Sequence, residues 1–167
     1  MKQLWAPWRM DYILSEKPEA CVLCVPKPGE SGADMANDKT RLVLYRGQDA
    51  FVMLNRFPYA SGHLMVIPYR HAQDITDLNP DESREVMELA QLSCRVLRQT
   101  SNPDGLNLGV NLGQAAGAGI RDHVHLHVVP RWSGDSQFIA VLDEVRLIPE
   151  YLEKTWERLR PVFLELA

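Results

Sequence analysis

The 167-residue sequence has few cysteines, no long hydrophobic stretch and little net charge, and each shortage argues against a class of protein. Three cysteines are too few for the disulfide framework of a small secreted domain, so we expect reduced thiols and a cytoplasmic protein. No apolar run approaches the roughly 18 residues of a membrane helix, and the opening residues lack the apolar core of a signal peptide. A net charge of −4 gives no global electrostatic reason to bind nucleic acid polymers.

The composition that remains is typical of one globular domain. Hydrophobic residues make up 46% and charged residues 24% of the chain, a balance that excludes disorder of the whole chain. We therefore predict a single domain over residues 1–167, with an N-terminal extension over 1–20 that packs its aromatic side chains on the body. Prolines, glycines and charges predict a mobile loop over 25–40.

Hydrophobic patterns predict five strands and two main helices. The strands are expected at 41–46, 50–55, 63–68, 106–111 and 122–130. A long central helix is expected from Pro80 to about Thr100, because Asn79 can cap it and Glu82 stands three residues after the cap. Apolar residues at helical spacing predict a C-terminal helix over 149–166. Antiparallel pairs of strands beside few helices indicate an α+β domain.

Three of the five histidines stand on alternate residues, at His123, His125 and His127, with valine and leucine between them. This alternation predicts a strand with all three imidazoles on one face. Same-face neighbours are roughly 6.6 Å apart, so one ion could hold two of them but not three without a bulge. A structural role and a metal-scavenging tract are the alternatives, but three separate chemical roles fit better. His63, at a strand start, is expected to be structural or to support the site.

A loop of small residues over 113–119 runs directly into the histidine segment. Alanine and glycine let a ligand approach the main chain, and backbone N–H groups in such loops can face an anion. The alternative is a tight connection between strands, which is the ordinary role of a glycine-rich loop. Beside a row of imidazoles we expect a site for a phosphorus centre, where backbone donors hold the oxygens and a neutral imidazole attacks.

Cys21 and Cys24 have a spacing that zinc sites use, but a single pair leaves two interpretations open. A tetrahedral site needs two further ligands, for which His71 and one member of the triplet are candidates. The alternative is a pair of small buried thiols. Asn55 and Asn111 stand at or near strand ends, where each could reach a ligand hydroxyl or close a turn on its own backbone.

Together these residues resemble the histidine-triad family. The triplet matches the family signature His-φ-His-φ-His-φ-φ, in which φ is apolar, as His123-Val-His125-Leu-His127-Val-Val. Family-like pieces precede it in the expected order, namely Leu54-Asn55-Arg56-x-Pro58 and Gly62-His63-Leu64-x-Val66-x-Pro68-x-x-His71. The resemblance covers roughly residues 21–132. It implies an α+β histidine-triad fold with a five-stranded antiparallel sheet, usually paired into a homodimer, in enzymes that transfer or hydrolyse nucleotidyl groups.

Carried over position by position, the resemblance implies that His125 is the nucleophile that attacks an α-phosphorus. His127 would hydrogen-bond the phosphate or the bridging oxygen, and His123 would hold the strand geometry or bind a metal. The substrate contacts it implies are Asn55, Asn111, Gly117, Ala118, Gly119, Ile120 and His127. Galactose-1-phosphate uridylyltransferases, which are distant relatives, bind zinc through a similar set of residues, which here would be Cys21, Cys24, His71 and His123.

One departure narrows the resemblance. Hydrolase and phosphoramidase branches carry Gly-Gln-Ser or Gly-Gln-Thr just before the triad, whereas this chain has Ala118-Gly119-Ile120. The Trp-Ala-Pro-Trp-Arg-Met-Asp-Tyr opening and the segment 116–138 are instead similar to a bacterial branch that contains diadenosine tetraphosphate phosphorylases. Within that segment, Gln137 stands where those relatives usually have asparagine. The resemblance thus implies cleavage of dinucleoside polyphosphates, with inorganic phosphate as a second substrate. The alternatives are hydrolysis of such compounds or of nucleoside phosphoramidates, and a non-catalytic nucleotide- or zinc-binding module.

Overall fold

The fold of the chain is described from a computed structural model that covers residues 21–117, 120, 122–133 and 150–167. Five strands form one antiparallel sheet in the order β1-β2-β3-β5-β4: β1 Val43–Arg46, β2 Ala50–Leu54, β3 Leu64–Pro68, β4 Gly105–Val110 and β5 Leu126–Arg131. The α-helices in the described residues are α1 Met35–Arg41, α2 Pro80–Ser101 and α3 Leu152–Leu166. The predicted α+β class and five-stranded sheet are confirmed. No helix within these ranges is long and apolar enough to cross a membrane.

The structure tests the helix ends that the sequence predicted. The Asn79 side chain accepts hydrogen bonds from the backbone at the start of α2, in the predicted capping box. The expected loop over 25–40 is wrong in its last part, because Asp34 caps α1 by accepting from the Asn37 backbone N–H. The C-terminal helix begins at Leu152, and the expected N-terminal extension and residue 149 lie outside the described residues.

The two faces of the sheet have different partners. On one face, Leu64, Val66, Leu126 and Val128 pack into a core with α2 and α3. Because side chains alternate along a strand, His127 projects from the opposite face. There it pairs in register with Met65 of β3. Met65 belongs to a second apolar cluster, which is formed by Leu23, Val25, Val43, Phe51, Met53, Met65, Ile67 and Tyr69. The candidate site therefore lies on the face of the sheet opposite to the one that α2 and α3 of the described residues cover.

The strand that carries the histidines is shorter than predicted. β5 begins at Leu126, so the predicted strand from Asp122 is wrong over its first four residues. Continuing the register with β3 would place Pro68 opposite Val124, and proline has no N–H to offer the ladder. The Val124 N–H donates instead to the carbonyl of Ala72 at 2.7 Å. The first two histidines of the triplet are therefore released from strand geometry.

A buried charge network anchors the chain segment that carries the two N-terminal cysteines. The Asp38 carboxylate, only 3% exposed, lies 2.6 Å from Arg46 on β1 and 3.3 Å from Arg160 on α3. Arg46 also donates to the carbonyl of Pro26. Because a buried carboxylate is stable only when it is paired, this network ties α1, β1, α3 and the cysteine segment into one unit.

Candidate functional site

Four of the five histidines are buried and lie close together. The ring centroids of His125 and His127 are 4.7 Å apart, and those of His63 and His127 are 5.0 Å apart. The ring of His123 lies instead beside His71, with centroids 4.9 Å apart. The triplet is therefore not the evenly spaced row that an ideal strand predicts, and its first ring belongs to a different group of residues.

A single hydrogen bond fixes the proton of His125. Its Nδ1 is 2.9 Å from the backbone carbonyl of His123. Because a carbonyl can only accept, Nδ1 is the nitrogen that carries the proton, and Nε2 keeps a free lone pair in the neutral ring. A buried imidazole held in this way has one nitrogen that can act as a nucleophile.

A chain of hydrogen bonds fixes the proton of His127. The backbone N–H of Tyr59 donates to His63 Nδ1 at 3.0 Å, so His63 carries its proton on Nε2. His63 Nε2 then donates to His127 Nδ1 at 2.9 Å. As a result, His127 has its own proton on Nε2 and can donate one hydrogen bond to a ligand. We call His63 and His127 the histidine pair.

The histidine pair stays uncharged at neutral pH. Burial is the largest cause that lowers the pKa of His63 to about 3, and the neighbouring His127 and His125 lower it further. Burial, followed by the proximity of His125, lowers the pKa of His127 to about 4. His127 therefore offers a hydrogen-bond donor beside His125 without a formal positive charge.

Four side chains from separate parts of the chain converge on one point. Cys21 Sγ and Cys24 Sγ lie 3.5 and 3.6 Å from His123 Nδ1, and His71 Nδ1 lies 3.3 Å from Cys24 Sγ. The four ligand atoms are all within 4.8 Å of one another. His123 Nε2 donates to the carbonyl of Pro68 at 2.9 Å, so its Nδ1 is left unprotonated toward the cysteines.

These distances fit a tetrahedral metal. Zinc lies about 2.3 Å from sulfur and about 2.0 Å from nitrogen, which places neighbouring ligands of a tetrahedron roughly 3.5 Å apart. Burial also lowers the pKa of His123, which favours the neutral ring that a metal requires. The spacing of the two cysteines left a metal site and a plain thiol pair open, and the convergence of both histidines on them makes this a group that could bind a metal.

The two asparagines differ in what they contact. The Asn55 Oδ1 accepts from the backbone N–H of Phe57 at 2.9 Å, and its Nδ2 lies 3.4 Å from His63 Nδ1. Its side chain thus forms the turn that was the alternative to a ligand contact. Asn111 is half-buried and stands two residues beyond Gly109, which pairs in register with His127.

The small-residue loop is described only in part. A short 3₁₀ turn over Gln114–Ala116 ends at Gly117, whose φ of 87° is in the left-handed region that favours glycine. Ile120 packs against the second apolar cluster. Ala118 and Gly119, which were also expected at the site, lie outside the described residues.

The sequence predicts only a structural or supporting role for His63 and does not identify Tyr59 as its neighbour. A histidine four residues after an aromatic residue on a loop is not a distinctive pattern, so no signal in the sequence identified the Tyr59 backbone as a partner. The pairing of His63 with His127 depends on the register between β3 and β5, which brings together residues 64 positions apart. The carbonyl of Pro68 was overlooked for the same reason.

Several known proteins are similar to this chain in sequence or in fold. The model of the HIT domain family matches residues 36–134. A protein of Mycobacterium tuberculosis named AP-4-A phosphorylase is 40% identical over 161 residues, which cover 93% of this chain and 80% of that protein. A bis(5'-adenosyl)-triphosphatase of Dictyostelium discoideum is 28% identical over 74% of this chain and 86% of its own length. A zinc-bound histidine triad protein from Mycobacterium smegmatis superposes with a TM-score of 0.61 at 31% identity, covering 75% of this chain and 85% of that one.

The lowered pKa of His63 predicts how stability depends on pH. In the unfolded chain a histidine binds a proton below about pH 6.5, whereas folded His63 stays neutral down to about 3. The stability from the neutral ring is complete above about pH 6.5 and is lost as the pH falls toward 3, by up to about 1.4 kcal/mol per pH unit. We expect His63→Asn to show a shallower loss of unfolding free energy between pH 6.5 and 4.

Urea denaturation of both proteins at several pH values measures this difference. Loss of a metal at low pH would steepen both curves alike, so the difference between the two slopes is the readout. Parallel curves for the native chain and His63→Asn would contradict the assignment of a neutral His63.

Proposed function

The chain belongs to the HIT domain family, and on that premise we propose that it cleaves dinucleoside polyphosphates through a nucleotidyl-histidine intermediate on His125. The observation that carries this proposal is the state of two neighbouring rings: His125 has a free lone pair on Nε2, and His127 has a proton on Nε2. The names of the Mycobacterium and Dictyostelium relatives support the substrate class.

In the first step, His125 Nε2 attacks the α-phosphorus of the substrate. A nitrogen–phosphorus bond forms, the bond from phosphorus to the bridging oxygen breaks, and the remaining polyphosphate leaves with the electron pair. His127 donates its Nε2 hydrogen bond to the bridging oxygen or to the phosphate. Because a nucleoside polyphosphate is a stable anion, this leaving group needs a hydrogen bond rather than a complete proton transfer, which suits a neutral His127.

In the second step, a nucleophile releases the nucleotide from His125. Inorganic phosphate would yield a nucleoside diphosphate, and water would yield a nucleoside monophosphate. The likeness to the AP-4-A phosphorylase over 93% of this chain favours phosphate. The likeness to a triphosphatase supports water as the second candidate.

The remaining substrate contacts come from the loop and the two strand ends. Backbone N–H groups over 117–120 would hold the phosphate oxygens and stabilise the charge that develops on them. The hydrogen bond from the Phe57 N–H uses one lone pair of the Asn55 side-chain oxygen. The amide group has a second lone pair and a second N–H, and through these Asn55 would contact the ribose. Asn111 is proposed to contact the substrate from the end of β4.

We further propose that Cys21, Cys24, His71 and His123 hold a structural zinc ion. Two thiolates and two imidazoles are a common tetrahedral zinc set, and the M. smegmatis relative is described as zinc-bound. A bound zinc would crosslink the N-terminal segment to the residues before β5. His123 would then be held on both sides, by the metal at Nδ1 and by the Pro68 carbonyl at Nε2.

A second copy of this chain is proposed to pair along β4. This strand is at the edge of the sheet, and its sequence Gly-Leu-Asn-Leu-Gly-Val has no charged residue. Leu108 on this strand is 45% exposed and Leu112 just beyond it is 39% exposed. An uncharged edge with free backbone groups is suited to pairing with another strand, and two copies would satisfy each other around a two-fold axis.

Replacing the nucleophile should abolish turnover and leave binding in place. We expect His125→Ala to lower turnover of diadenosine tetraphosphate by roughly four orders of magnitude, because no other group can form the intermediate. Calorimetry should show nucleotide binding within about tenfold of the native chain. Cys94→Ser, a control on α2 away from the site, should retain turnover, and near-native turnover of His125→Ala would refute the mechanism.

Product analysis with and without inorganic phosphate identifies the second nucleophile. Phosphorolysis of diadenosine tetraphosphate yields ADP and ATP, whereas hydrolysis through the same intermediate yields AMP and ATP. We expect ADP and ATP when phosphate is present. Two ADP molecules in the absence of phosphate would indicate attack at a different phosphorus and would contradict the first step.

Elemental analysis of the purified chain tests the zinc proposal. We expect about one zinc per chain in the native protein and in Cys94→Ser. Cys24→Ser should lose most of it, because one of four ligands is replaced by a group that zinc binds poorly. A native chain without zinc, or a Cys24→Ser variant that keeps it, would contradict the assignment.

A charge on the edge strand should separate the proposed dimer. We expect the native chain to sediment as a dimer at micromolar concentration and Leu108→Lys to sediment as a monomer, because an edge lysine opposes strand pairing. Met87→Lys is the control, since this side chain is 50% exposed and lies on α2 rather than on the edge strand. A monomeric native chain, or a dimer that survives in Leu108→Lys, would exclude this interface.

A further inference from the structure

Tyr59 lies against the histidine pair through both its backbone and its ring. Its N–H donates to His63 Nδ1 at 3.0 Å. Its ring centroid is 4.6 Å from that of His63, at an interplanar angle of 37°, and 5.8 Å from that of His127. Tyr59 itself is 46% exposed, whereas His63 is 0% and His127 is 8% exposed. One face of the phenol ring therefore covers two buried imidazoles, and much of the rest of the side chain faces solvent.

The loop around Tyr59 folds back on His63 at several points. The Asn55 N–H donates to the carbonyl of His63, and the His63 N–H donates to the carbonyl of Ala60. Gly62, with a φ of 78°, lets the chain turn sharply just before His63. The loop thus holds the backbone of His63 tightly, and the Tyr59 ring packs against the imidazole at a tilt.

We propose that Tyr59 is a positioning residue that holds the histidine pair in a single protonation pattern by covering it from water and by fixing the acceptor nitrogen of His63. The effect passes from Tyr59 to His63 and from His63 to His127, whose Nε2 proton then faces the substrate. This inference rests on the proposed function for its role in catalysis, but the protonation pattern itself is a property of the free protein.

The reason for this role lies in the two tautomers of a neutral imidazole. The Tyr59 N–H at 3.0 Å and the Asn55 Nδ2 at 3.4 Å both face His63 Nδ1. If water displaced these donors, His63 could carry its proton on Nδ1 and would then accept, rather than donate, at Nε2. His127 would respond by protonating Nδ1 and would lose its donor at the substrate side. Burial is the main cause of the low pKa of both rings, so water that entered beside His63 would also raise its pKa.

Among the described residues, the groups that face His63 contain no carboxylate that could compensate for added charge. In the described residues, the titratable groups beside it are His127 on β5, His125 just before β5, and the phenol of Tyr59 itself. The two imidazoles lower the pKa of His63, and neither can stabilise a positive ring. Protection from water is therefore the main means by which this arrangement keeps His63 neutral.

Nitrogen NMR of the histidine side chains tests the proposal on the complete, metal-loaded chain without substrate. In the native protein we expect His63 to carry its proton on Nε2, His127 Nδ1 to be unprotonated, and neither ring to titrate above about pH 5. Tyr59→Ala keeps the backbone N–H but removes the ring, so water can reach the pair. It should therefore move the titration of His63 upward by at least about one pH unit and let the second tautomer of His127 become populated. Tyr59→Phe, which keeps the ring and the N–H, should match the native protein.

Phe57→Ala is the matched control for the loop, since Phe57 is 47% exposed on the same segment. We expect it to leave both histidine rings unchanged, while turnover of diadenosine tetraphosphate in Tyr59→Ala falls about tenfold in kcat with a smaller change in KM. Because Tyr59 is half exposed, Tyr59→Ala should keep a cooperative unfolding transition, which the same samples can verify.

Two NMR results would overturn the role of Tyr59. In the first, the histidine signals of Tyr59→Ala match those of the native protein. In the second, Tyr59→Ala and Phe57→Ala shift those signals equally. Failure of the proposed function would look different, since turnover would then survive in His125→Ala or be absent from the native chain. The NMR result would stand in either of those cases, because it requires no substrate.

Discussion

The hydrogen bond from His125 Nδ1 to the carbonyl of His123 is the interaction on which the site depends. It joins two histidines whose rings contact different groups. The ring of His123 lies beside Cys21 and Cys24, and the ring of His125 lies beside His127 of the histidine pair. Anything that moves the backbone of His123 changes the direction of the His125 lone pair. The Cys21, Cys24 and His71 group is therefore connected to the proposed nucleophile through a single peptide unit.

Burial gives the site its second property. In water a histidine exchanges freely between tautomers and charge states near neutral pH. Here His63 and His127 are enclosed, and their pKa values fall to about 3 and about 4. The hydrogen bonds at His63 Nδ1 and between His63 Nε2 and His127 Nδ1 set which nitrogen of each ring carries the proton. The same enclosure carries a penalty for stability in acid, because the unfolded chain can take up protons that the folded chain cannot.

Several features were predicted correctly from local patterns. The capping box at Asn79 and the apolar stripe after it located α2, and alternation located the strands to within a few residues. The triplet predicted a candidate site in this part of the chain, and the resemblance implied that Cys24 and His71 belong to one group of residues. The structure brings them together with Cys21 and His123 as a group that could bind a metal. The strand predicted from Asp122 begins too early, because Pro68 on β3 has no N–H with which to pair. The loop predicted over 25–40 extends too far, because Asp34 caps a helix within it. The hydrophobic pattern of these segments reveals neither effect.

The sequence alone determined the class of the fold, the position of the histidines and the family that they indicate, since these depend on periodicity and motif spacing along the chain. Only the tertiary structure decided which nitrogen of each ring bears a proton. That choice is made by the Pro68 carbonyl, the Tyr59 N–H and the neighbouring rings, and it requires the register of β3 with β5. The contacts of His63 with His127 and of His123 with Pro68 join residues distant in the chain, and no local pattern encodes them. The contacts of His125 with His123 and of His63 with Tyr59 are short in sequence, but they depend on the backbone conformation that the fold gives these segments.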